Sequence, residues 1–131
     1  MQKKNKSILF LTSHLPYPDV SGGRLREFEI LKGLSNIYDI YLIVVSKTYD
    51  IDIENSKNIR VFCKQIHIFS SFDKLDKKLF SKHFPQKVIR IISSKAQLCI
   101  DNLINSRAVD LIHLESHYML YFFMKGTNLP I

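Results

Sequence analysis

The chain has 131 residues, 46% hydrophobic and 24% charged, with four Gly and four Pro. That composition sets a single domain over residues 1–131 and excludes disordered, collagen-like and linker architectures. The net charge of +7 invites a polyanionic partner, but Lys outnumbers Arg 14 to 5 and Ile occurs 17 times against two Ala, a skew that coding bias explains equally well.

In chain order, the basic start Met1-Gln2-Lys3-Lys4-Asn5-Lys6 leads into Ser7–Thr12, a short apolar run. That run is too brief for the h-region of a signal peptide. It reads instead as a strand buried on both faces, as does Ile40–Val45. Between them Leu25, Phe28, Leu31 and Leu34 recur at helical spacing, with Arg26, Glu29, Lys32 and Ser35 in the gaps. Strand, helix and strand over about 40 residues form a βαβ unit.

Asp50–Asn58 reads as a polar loop. Arg60–Phe62 and Ile66–Phe69 read as short strands, and Leu75–Leu79 and Val88–Ile104 as helices separated by Pro85. Asp110–Glu115 is a further strand and Tyr118–Lys125 a short helix stopped at Gly126. Leu129-Pro130-Ile131 looks like the first step into another strand. The expected fold is α/β, a Rossmann-like open parallel sheet with helices on both faces.

Cys63 and Cys99 form no disulfide framework and no metal-ligand spacing, so buried free thiols in a reducing compartment are expected. The longest apolar runs, Ile40–Val45 and Tyr118–Met124, are far below the roughly 18–20 residues that cross a bilayer. A cytoplasmic protein is expected. No metal site is expected from His113-Leu-Glu-Ser-His117, because the Glu is misplaced for HExxH and i, i+4 residues of a strand lie about 13 Å apart. His113 is expected to be a satisfied buried side chain, and His117 has the better chance of lining a cleft.

The chemistry concentrates in Leu15-Pro16-Tyr17-Pro18-Asp19-Val20-Ser21-Gly22-Gly23-Arg24, which joins the first strand to the first helix. Ligands of open parallel sheets bind at the carboxyl ends of the strands, where this loop lies. Gly22 and Gly23 leave backbone N–H groups approachable by an anion. Arg24 and Arg26 sit in the first helical turn, where a cation is mildly unfavourable unless an anion joins it. The competing reading is an ordinary turn whose glycines serve tight packing. GxGxxG and GxxxxGK[ST] fingerprints are absent.

Ile8-Leu-Phe-Leu-Thr-Ser-His-Leu-Pro-Tyr-Pro-Asp-Val-Ser-Gly-Gly-Arg-Leu-Arg26, Leu31-Lys-Gly-Leu-Ser35 and Tyr41-Leu-Ile-Val-Val45 resemble the opening of retaining glycosyltransferases with the GT-B fold, the group called family 4. Asp110-Leu-Ile-His-Leu-Glu115 with Tyr118-Met-Leu-Tyr121 is similar to that family's fourth strand and following helix, and Leu129-Pro-Ile131 to the start of its fifth. The resemblance is strongest over residues 7–46 and 109–131.

It implies the N-terminal, acceptor-side half of a two-domain hexosyltransferase, with the C-terminal donor-binding domain absent from this chain. The parent would move a hexose from a nucleotide sugar to a hydroxyl on a glycan or lipid-linked acceptor in surface-polysaccharide biosynthesis, and the fragment alone would be inactive. Ser21, Gly22, Gly23, Arg24, Glu115 and His117 are the cleft residues it implies, and the family's characteristic His would follow Ile131. No cofactor is expected.

Phe72–Lys95 carries seven basic and two acidic residues interleaved with Phe72, Leu75, Leu79, Phe80 and Phe84, a pattern suited to peripheral contact with an anionic inner-membrane face. A solvated helical face reads the same residues more plainly. No nucleic-acid recognition motif accompanies the charge, so nucleic acid is not an expected partner. The alternative to a transferase is a stand-alone, non-catalytic Rossmann-like module for a phosphorylated ligand.

Overall fold

The computed structural model describes residues 5–17, 22–71, 93–123 and 126–131, with the backbone alone for His117. Four strands, β1 (Ser7–Thr12), β2 (Asp39–Ser46), β3 (Gln65–Ser70) and β4 (Leu111–Leu114), form one sheet in the order β3-β2-β1-β4. Every pairing is parallel, with Ile8 opposite Ile40 and Leu111, and Tyr41 opposite Gln65. Helices α1 (Gly22–Leu34), α2 (Tyr49–Asn55) and α3 (Ser94–Asn105) connect or flank them. The fold is the α/β open parallel sheet that the apolar runs imply.

Alternation along the central strands divides the core in two. Ile8, Phe10, Ile40, Leu42 and Val44 pack with Leu15, Leu31 and Ile59 on the face covered by α1. Leu9, Leu11, Tyr41, Ile43 and Val45 pack on the other face with Ala96 and Ile100 of α3 and with Met119 and Phe122 of a 3-10 helix, His117–Phe123. Each such side chain contributes roughly 1.5–3 kcal/mol on burial, which is why both strands read as unbroken apolar runs. The amino end of β1 is locked by Asp110, whose carboxylate takes the Ser7 N–H at 2.7 Å while its own N–H donates to the Ser7 carbonyl at 2.7 Å. On the far edge of β4, the Ile112 N–H donates to the Pro130 carbonyl at 2.9 Å, so the tail runs beside the sheet.

Four expectations are corrected. The segment read as a polar loop over 50–58 is α2 followed by a 3-10 turn, Ser56–Asn58. Its anchor is Asp52, fully buried and bonded to the Ser46 hydroxyl, which also accepts the Thr48 N–H at 2.9 Å. Arg60–Phe62 is a 3-10 turn and not a strand, closed by the Phe62 N–H on the carbonyl of buried Ile59. Phe62 then packs edge-on against Phe28, with ring centroids 5.9 Å apart.

The expected helix over 88–104 cannot be continuous, because Ser93 is extended (φ −153°, ψ 114°) and caps α3 by accepting the Ala96 N–H at 3.1 Å. Finally, Leu25 is 43% exposed, while Glu27, unremarked in the helical stripe, is 2% exposed. The segments 72–92 and 124–125 lie outside the described residues, so Leu75–Leu79, Pro85 and nearly all of the basic stretch Phe72–Lys95 have no structural account. Among the described residues, no helix is long and apolar enough to cross a membrane.

Candidate functional site

Gly22 and Gly23 are the first residues of α1, both exposed. Among the described residues, a methyl group added to either would meet no atom within 4 Å, and neither is recorded with a positive φ. Among the described residues, neither tight packing nor a left-handed turn, the two ordinary reasons for glycine, accounts for the pair. The pair begins α1 at the carboxyl edge of the sheet. Ser21, the residue before them, lies outside the described residues.

Beside the start of α1, six side chains draw together from three elements. Thr12 ends β1 and His14 follows it, Arg26 and Glu27 lie on α1, and His113 and Glu115 lie at the end of β4. Glu115 follows the strand with its N–H on the Leu11 carbonyl at 3.1 Å, which places its side chain next to the end of β1. Its carboxylate is 4% exposed and receives Arg26 Nη2 at 2.5 Å on one oxygen and contacts His113 Nε2 at 2.6 Å on the other. Arg26 itself is 59% exposed, so the guanidinium caps a buried carboxylate from the solvent side. The His113 ring also lies against Phe10, with centroids 4.6 Å apart.

The second half of the cluster is built on Glu27. Its side chain is buried, one oxygen taking the Thr12 hydroxyl at 2.5 Å and the other meeting His14 Nε2 directly. Thr12 shares its hydroxyl, which also reaches the His14 carbonyl at 3.2 Å. Burial pushes Glu27 up to about 7, with the Glu115 charge adding to the rise and the Thr12 hydrogen bond, Arg26 and Arg24 opposing it. Burial likewise holds His14 below its ordinary range. Arg24 and Arg26 act in the same direction, against Glu115 and Asp52. These two groups therefore contact each other with both of their charged forms disfavoured.

Of the residues singled out in the sequence, Gly22, Gly23, Arg24 and Glu115 stand on this edge, Arg24 through its field on His14 and Glu27. His117 begins the 3-10 helix after β4, at the same end of the strand. His113 is bonded to Glu115 as a satisfied histidine should be, but its side chain is 31% exposed and the residue joins the cluster. Thr12, His14 and Glu27 are not among the residues the sequence points to, and Arg26 is visible there only as a first-turn cation. The available signal was a charged residue two positions from Leu25 and four before Leu31, on a stripe that otherwise packs on the sheet.

Two surface depressions among the described residues lie elsewhere, one around Arg60–His67 at the amino end of β3 and one around Lys47–Ile51 with Ser70 at its carboxyl end. No protein-family model matches the chain, and neither the curated proteins nor the solved structures give a match.

Proposed function

We propose that the chain is the N-terminal, acceptor-side half of a GT-B glycosyltransferase, serving an enzyme that moves a hexose from a nucleotide sugar to a hydroxyl acceptor. The observation that carries this reading is the glycine pair at the start of α1, which no packing among the described residues requires and which stands at the carboxyl edge of a parallel sheet. Backbone N–H groups there suit a diphosphate, because the helix start carries unsatisfied donors and the positive end of the dipole. Arg24 completes the anion's partners from the first turn. Glu115 and Arg26 hold α1 to the end of β4, fixing one wall of the site.

In this reading the chain supplies position and charge stabilisation of the departing diphosphate, while the donor's nucleotide and the characteristic histidine belong to sequence outside these 131 residues. A glycan or lipid-linked hydroxyl occupies the same edge. Contact of Phe72–Lys95 with an anionic membrane face belongs to the proposal too, since a lipid-linked acceptor would be met there.

The test is a paired measurement on a full-length parent. Gly23→Ala should lower turnover at least tenfold, about 1.4 kcal/mol of transition-state stabilisation, without lowering the melting temperature. Arg24→Ala should lower turnover as well. If turnover survives both substitutions, the loop is not the phosphate site.

A further inference from the structure

The end of the sheet opposite the glycine pair carries a depression of about 270 Å³, at the amino end of β3, lined by Arg60, Cys63, Lys64, Gln65, Ile66 and His67. Its frame is fixed by overlapping 3-10 turns. The Phe62 N–H donates to the Ile59 carbonyl at 3.0 Å, and the Cys63 N–H to the Arg60 carbonyl at 3.2 Å. Ile59 is fully buried and Phe62 packs on Phe28, so the turn is anchored on both sides of Arg60 and Val61, which are left exposed.

The charge of the depression is one-sided. Among the described residues, no carboxylate pairs with Arg60. Lys64 Nζ lies 3.9 Å from Asp39, a long contact for an ion pair, with its side chain 51% exposed. The acid of the preceding helix, Glu54, is taken by Lys57 at 3.0 Å. Two neutral groups complete the lining. Gln65 Oε1 accepts from His67 Nε2 at 2.9 Å, since an amide oxygen has no hydrogen to give, and the Gln65 amide hydrogens remain available to a ligand.

A guanidinium, an ammonium and an amide donor around one hollow match an anion with more than one charge and more than two acceptor oxygens. A carboxylate has one charge and two oxygens. A phosphate monoester near neutral pH carries a charge of about −1.5 to −2 and three terminal oxygens. Arg suits two of those oxygens side by side, and Lys acts on the group as a point charge.

We propose that the depression at the amino end of β3 binds a phosphate monoester, held by Arg60 and Lys64 with the Gln65 amide as a third donor. The ester is either a soluble metabolite or the headgroup of a lipid; Val61, an aliphatic side chain 83% exposed beside Arg60, serves only the second. Neither source depends on the glycosyltransferase reading, because the glycine pair stands at the other edge of the sheet.

The experiment is amide NMR of the 131-residue chain titrated with glycerol 3-phosphate at pH 7.5 and low ionic strength, against sodium chloride at matched ionic strength. Saturable shifts over residues 59–67 are expected, with a dissociation constant in about the millimolar range. Arg60→Gln and Lys64→Gln, both at exposed positions, should each weaken binding by about fivefold or more. Lys32→Gln, which removes the same charge from the end of α1, should weaken it less than about twofold.

No saturable shift by about 50 mM, shifts confined to residues 22–26, an equal response to chloride, or equal weakening by Lys32→Gln overturns the proposal. A second arm assigns the source with vesicles of phosphatidylcholine containing phosphatidic acid. Sedimentation that Val61→Ser reduces makes the ester a lipid headgroup. Glycerol 3-phosphate binding without sedimentation makes it a soluble ester, and either result supports the site.

Discussion

Replacing Gly23 with Ala separates the two meanings of the glycine pair on stability alone. Were the glycines there for a tight turn or close packing, the methyl group would cost about 1 kcal/mol or more. The structure gives the opposite sign. Among the described residues no atom lies within 4 Å of the added Cβ, no positive φ is recorded there, and the residue is in α1. Ala is favoured over Gly inside a helix by about 0.8–1 kcal/mol, and the first turn realises part of that, so a stabilisation of about 0.5–1 kcal/mol is expected. At an m-value of about 1–3 kcal/mol/M, the urea midpoint should rise by a few tenths of a molar. Unfolding of wild type, Gly22→Ala and Gly23→Ala in urea, followed by far-UV circular dichroism, measures it. A fall in midpoint of equal size would show that the glycines serve the fold, and the case for a diphosphate site there would fail with it.

Three further outcomes follow from the cluster and the core. Because the folded pKa of Glu27, about 7, lies above its ordinary 4.5, the native state holds the proton longer, and stability falls as pH rises through that window. Glu27→Gln should remove this slope, gaining about 2–3 kcal/mol on wild type between pH 4.5 and 8 as read from urea midpoints; parallel curves would refute it. Arg26→Ala leaves the Glu115 carboxylate buried with only His113, and should cost about 1–2 kcal/mol, mostly restored by Glu115→Gln in a double-mutant cycle; strict additivity would contradict the pairing. Partial burial pushes the half-exposed Cys63 thiol up to about 12, so Cys63 should be alkylated at pH 8 more slowly in the folded chain than in the unfolded one, and equal rates would refute it.

The central sheet was legible because β1 and β2 are covered on both faces. Six and eight consecutive residues with almost no exposed position leave no polar alternation to confuse with anything else. α2 was not legible, for a reason specific to it. Its acid, Asp52, is buried against Ser46, while Ile51 and Ile53 are 62% and 42% exposed, so its hydrophobic pattern is inverted. The strand read over Arg60–Phe62 failed similarly, since a single buried Ile59 anchors a turn that leaves Val61 83% exposed.

At the site, the glycine loop and Glu115 were visible as residue types at a strand end. Arg26 was visible only as a first-turn cation, because its partner Glu115 lies 89 positions away in sequence and only the β1–β4 pairing brings the two together. Glu27 was invisible for the same kind of reason. A glutamate in a helix reads as solvent-facing until the strand end supplies a threonine and a histidine to receive it.

The most direct test of an acceptor-side half is titration of the 131-residue chain with a panel of UDP- and GDP-sugars, by calorimetry and by amide NMR together. The expected result is binding weaker than about 0.1 mM, roughly 5.5 kcal/mol, with shifts confined to Thr12–His14 and Gly22–Arg26. A micromolar dissociation constant for any of them would make the chain a self-sufficient binding module and contradict the reading as a donor-less half, and shifts located away from the glycine pair would contradict the site.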